Sequence, residues 1–145
     1  MFKRIGAVAL SVLVAATVIA SGSPASAADG WQRAGVVSEQ DAVEPLHCHP
    51  SDYAVGCFQP YGEWIWLYDT SANNIPVAVK WNFRPKGSST VSRSGVVYND
   101  RGMAAGYTAI NKSFGDGGIF SFQTCQADLP TKTTKDCNEV LRVTT

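Results

Sequence analysis

The chain has 145 residues, 45% of them hydrophobic, with 12 Lys+Arg against 12 Asp+Glu. So even a balance, with no cluster of Lys or Arg, excludes the electrostatic footprint of a polyanion binder, and no nucleic-acid partner is expected. The length leaves room for one domain with a modest core.

At the N-terminus Lys3 and Arg4 precede an uncharged run from Ile5 to Ala20, which Ser21-Gly22-Ser23-Pro24 and Ala25-Ser26-Ala27 follow. A basic start, an apolar stretch and a small-residue site in this order predict a signal peptide over residues 1–27, cleaved before Ala28. A membrane span takes ~20 apolar residues, so after cleavage no membrane association is expected. The expected product is a monomeric, extracellular domain over residues 28–145, carrying 10 bases against 12 acids. Its acids crowd the front: seven lie between Asp29 and Asp69, where Arg33 is the sole base. Nine bases and five acids follow, so two layers of opposite charge are expected to neutralise each other.

Residues 28–47 alternate poorly and contain Gly30, Gly35 and Pro45, which predicts an extended arm. It should hold a short strand near Arg33 to Val37, one helical turn at Glu39 to Val43, and Trp31 tucked against the core. Leu46 to Tyr61 reads as a loop punctuated by Pro50, Gly56 and Pro60. Four cysteines in an exported chain read as two disulfides. Three pairings exist, and the local one, Cys48–Cys57 with Cys125–Cys137, is the expected one because short loops close before a core forms. Each loop of roughly ten residues would contribute ~2.5–3 kcal/mol. A metal site on His47, Cys48, His49 and Cys57 has spacings unlike those of zinc sites, so no metal or cofactor is expected.

Gly56 to Asp69 carries the densest run of large apolar side chains after the N-terminus and reads as a central strand. Trp64, Trp66 and Tyr68 fall on one of its faces and Ile65 and Leu67 on the other. Asp69 to Asn74 has turn chemistry, predicting a hairpin into Val77–Arg84. Here Val77, Val79, Trp81 and Phe83 alternate with Ala78, Lys80, Asn82 and Arg84, the pattern of a strand with one buried face. Further strands are expected at Val91 to Tyr98, Ala104 to Lys112, Ile119 to Gln126 and Val140 to Val143, with the second cystine closing the loop from Ala127 to Asp136. Six or seven short strands with frequent turns predict an all-β fold, an antiparallel sandwich or small barrel.

Gly-Cys-Phe at Gly56, Asp-Thr-Ser-Ala at Asp69, Val-Ala-Val-Lys-Trp at Val77 and Asp-Gly-Gly-Ile-Phe-Ser-Phe-Gln-Thr-Cys at Asp116 can be taken together with the Ala-rich N-terminus. So arranged, the chain resembles small exported proteins of filamentous actinobacteria. The resemblance implies a fold and a compartment, and it carries over no catalytic residue.

Chemistry is sparse. His47 and His49 flank a half-cystine in a Pro-containing loop; they are expected to be exposed and, if the chain is extended there, to point to opposite sides. No nucleophile elbow, metalloprotease helix or phosphate loop occurs. Glu63 and Asp69, on one strand, would stand about 20 Å apart, beyond the spacing of paired catalytic carboxylates. A small extracellular hydrolase such as a ribonuclease, using Glu63 with a histidine and an arginine, is the alternative to a non-enzymatic binding domain. The aromatic residues speak for binding. Tyr61, Trp64, Trp66 and Tyr68 form a candidate platform for a protein partner, a polysaccharide or an inhibited enzyme, provided that Ile65 and Leu67 face the core.

Overall fold

The computed structural model describes residues 27–145, so the expected signal peptide lies, apart from Ala27, outside the described residues. Among these residues eleven strands form two sheets around a shared core, an all-β sandwich, which is one of the two expected architectures, with more strands than the six or seven the sequence predicts. In chain order they are β1 (Ala27–Arg33), β2 (Gly35–Val36), β3 (His47–Pro50), β4 (Ala54–Gln59), β5 (Trp64–Asp69) and β6 (Val77–Arg84). Then come β7 (Arg93–Asn99), β8 (Tyr107–Asn111), β9 (Ile119–Asp128), β10 (Thr133–Lys135) and β11 (Leu141–Thr144). The first sheet runs β1-β7-β6-β9, with β10 and β11 both paired to β9. The second runs β2-β8-β5-β4-β3.

The alternation of β6 does what its pattern requires: Val77, Val79, Trp81 and Phe83 are all buried between the sheets. Phe58, Ile65 and Leu67 meet them from the second sheet, each fully buried. Phe58 stacks on Phe120 with ring centroids 4.0 Å apart, a face-to-face contact supplementing ~1.5–3 kcal/mol for each large side chain removed from water. The sheets come close together at Gly56, where a Cβ would lie 2.5 Å from Thr124 Oγ1 and 2.8 Å from Val79 Cγ2. Only glycine fits that position without displacing the facing sheet.

Three expectations are corrected by the strand order. Gly56 to Asp69 is not one strand: β4 and β5 form a hairpin turned at Pro60 to Glu63, where Gly62 and Glu63 take φ of 82° and 56°. Leu46 to Tyr61 is not a loop, because β3 and β4 pair through it with Cys48 opposite Cys57. The segment after β5 makes no hairpin with β6; those strands lie in different sheets, and the connection crosses the sandwich. The N-terminal arm is also more regular than expected. Its first strand, β1, runs parallel to β7. Trp31 sits half-buried on the outside of this sheet against Tyr98, not in the core, with the Lys132 ammonium 5.4 Å from its ring centre.

Both cystines take the expected local pairing, Cys48–Cys57 and Cys125–Cys137, and no described cysteine is free. No helix among the described residues is long and apolar enough to cross a membrane.

Candidate functional site

Strand periodicity decides what the second sheet shows to the outside. With Ile65 and Leu67 packed inward, Trp64, Trp66 and Tyr68 must point outward, and the register sets them in cross-strand rows. Trp66 lies between Cys57 and Ala109, Tyr68 between Val55 and Tyr107, and Trp64 between Gln59 and Asn111. Tyr68 and Tyr107 stack with centroids 5.1 Å apart, and Trp64 and Trp66 lie 6.1 Å apart.

This face is not bare. After β2, Val37 to Leu46 lies against it, and Val37, Ala42 and Leu46 pack on a small cluster of Cys57, Trp66 and Ala109. A 3-10 turn at Glu39–Asp41 gives the arm its shape; Ser38 Oγ accepts from Gln40 N–H and the Asp41 carboxylate accepts from Ser38 N–H. Gln59 fastens it: its Oε1 accepts from Val43 N–H at 3.0 Å and from Trp66 Nε1–H at 3.2 Å. Trp66 is thereby buried, and the expected four-ring platform is divided. Tyr61 projects into solvent from the β4–β5 turn, Trp64 is half-buried, and Tyr68 is half-buried in the row beside Trp66.

Between the arm and the sheet a cleft of about 300 Å³ remains open. Its aromatic wall is Trp66, Tyr68 and Tyr107, and Glu39, Glu44 and Leu46 stand on the arm side. Sequence reasoning missed Tyr107, Glu39 and Glu44. Tyr107 was legible as the outward partner of Tyr68 only once β8 was known to pair with β5, whereas the acids carried no signal beyond the acidic front half.

The other candidate residues are occupied structurally. The Glu63 carboxylate accepts from Phe114 N–H at 2.7 Å. Asp69 is buried and caps the next turn by accepting from Ser71 N–H at 2.9 Å. His47 and His49 lie on strand β3, not in a loop, and their two-residue spacing puts them on the same side, opposite Cys48. His49 is half-buried, with its Nε2 2.8 Å from the Glu139 carbonyl and its ring edge-on to Phe122. Among the described residues no group of three or more His, Cys, Asp or Glu could hold a metal ion.

A charged cluster stands elsewhere, at the edge of the core. Asp29 bonds Arg93 Nη2 and Lys112 Nζ, both at 2.7 Å, and Lys112 also donates to Gln32. The Arg93 hydrogen bonds hold the Asp29 carboxyl below its ordinary 3.8; partial burial opposes them and Lys112 adds to them. Arg93 and Lys112 lie over the Trp81 ring at 5.9 and 5.4 Å, which fixes the cluster to the core.

No protein family, no curated protein and no solved structure matches the chain.

Proposed function

We propose that the protein is a secreted, non-enzymatic binding domain whose recognition site is the cleft between the N-terminal arm and the outer face of the second sheet. One observation carries this reading: Tyr68 and Tyr107 stack beside Trp66 in an open cleft of about 300 Å³, although the core is already complete on the other face. A concave, ring-lined wall with a few polar groups is what a binding site needs, and this volume is at the low end of such sites, ~300–1,000 Å³. Two disulfides agree with an oxidising, extracellular setting. The hydrolase alternative gains nothing from Glu63 and His49, which bond backbone groups of neighbouring segments, nor from Asp69, which is buried and caps the turn at Ser71.

The reading is tested by retention on immobilised secreted proteins and polysaccharides, comparing the natural chain with Tyr107→Ala. Tyr107 is exposed, so its loss should leave the melting temperature nearly unchanged while retention falls. Retention that survives Tyr107→Ala and Tyr68→Ala together would place binding elsewhere.

A further inference from the structure

We infer that the cleft accepts a cationic side chain, an arginine presented by a basic segment of a protein partner; this rests on the cleft being the binding site. The charge around it is one-sided. From Ala34 to Val79, which includes the arm and strands β2 to β5, there is no Lys or Arg, while Glu39, Asp41, Glu44, Asp52, Glu63 and Asp69 are all acids. Glu39 and Glu44 line the cleft, both are exposed, and neither takes part in an ion pair among the described residues. Glu44 Oε2 accepts from Leu46 N–H at 2.8 Å, which orients that carboxylate on the arm.

The other wall of the cleft is formed by Trp66, Tyr68 and Tyr107, with Trp66 buried at its base and the accessible ring surface on Tyr68 and Tyr107. Aromatic faces attract cations within about 6 Å of the ring centre, and a guanidinium does so while keeping its N–H fork for a carboxylate. An anionic ligand would meet repulsion from the acids, and a neutral sugar would hydrogen-bond them but leave their charge uncompensated. A wall of rings facing carboxylates is matched in charge and shape by a planar cation. The chain itself supplies the same chemistry on Arg93, which lies over the Phe114 ring at 5.0 Å while bonding Asp29.

The test titrates purified protein with the capped peptide Gly-Arg-Gly-Arg-Gly and with the same peptide carrying citrulline, the neutral isostere of arginine. The Trp66 indole N–H resonance is the readout. Saturable shifts with the arginine peptide, weakened by salt and at least about fivefold by the paired change Glu39→Gln and Glu44→Gln, are expected, with citrulline showing no saturation. Tyr107→Ala should weaken the arginine peptide by about two- to thirtyfold. Equal binding of the citrulline peptide, or no effect of the glutamate changes, would overturn the cationic ligand. A neutral oligosaccharide bound in a Tyr107-dependent way, with the arginine peptide inert, would do the same and leave the cleft standing. If no probe responds to either set of changes, both readings fall. Sedimentation of the protein alone completes the test: salt-sensitive self-association removed by the glutamate changes would make a second copy the occupant and overturn the proposal.

Discussion

Gln59 and Trp66 share one hydrogen bond that also decides how the N-terminal arm lies, because the oxygen that receives the Trp66 indole N–H receives the Val43 backbone N–H as well. Gln59 is 2% and Trp66 3% exposed, so the indole N–H would find no water in place of the lost acceptor. Gln59→Leu keeps the bulk and removes the acceptor. The change should cost about 1–3 kcal/mol in urea unfolding, with hydrogen exchange at Val43 speeding up more than at strand amides of the core. Unchanged exchange at Val43 would mean that the arm is held by packing alone.

Trp64, Trp66 and Trp81 should divide by layer. Trp81→Ala opens a hole among Phe114, Phe120 and Val79 and should lower stability by about 3–5 kcal/mol. Trp66→Ala should approach that loss, since the ring is buried under the arm, while Trp64→Ala, on a half-buried ring, should cost about 1 kcal/mol. Denaturant midpoints of the three variants check the order. A Trp66→Ala protein as stable as the natural one would show that the arm adds nothing to the fold.

Stability should depend on pH through Asp29. Its folded-state value is depressed, so the stabilisation is fully present above the ordinary 3.8 and is lost as pH falls through the lower folded value. At neutral pH Asp29→Asn strands Lys112, 6% exposed, beside Arg93, and should cost about 3 kcal/mol. The gap between the natural protein and the variant should close as the solution is acidified below 3.8. A gap that stays constant through that range would assign Asp29 a role other than ion pairing.

The cystines should act one ring at a time. Each links strands or segments close in sequence, separated by 9 and 12 residues, so each should contribute about 2.5–3 kcal/mol through the unfolded chain. Cys48→Ser, Cys57→Ser and the double change should therefore destabilise alike, while adding a change in the second pair should add its own cost. Titration of the denatured, unreduced protein should find no reactive thiol.

The sequence made some elements plain because their cause is local. The alternation over Val77 to Arg84 needs one buried face whatever its neighbours, and β6 has those ends. β1 was hidden because its partner, β7, lies more than sixty residues away and runs parallel, so no turn announces the pair. The residues after Asp69 suit a reversal within a sheet and a crossing between sheets equally well, and only the packing of Ile65 and Leu67 against β6 distinguishes them. At the candidate site the outward rings could be read from their spacing with Ile65 and Leu67. The arm over Trp66 could not, because Val37, Ala42 and Leu46 follow neither a helical nor a strand period.

The local rings of the cystines have a consequence for a cut chain. Lys86 is exposed in the β6–β7 loop, outside both rings, so tryptic cleavage there leaves two pieces with no covalent bond between them. Cleavage at Lys132, inside the second ring, leaves one. Yet β7 lies between β1 and β6, and β8 lies between β2 and β5, so the pieces made at Lys86 interleave in both sheets. Each piece keeps its own cystine and depends on the other for the neighbours of its strands. The nicked molecule is a split protein whose halves part only when denatured, and separately expressed halves joined to two other proteins would report on whether those proteins meet.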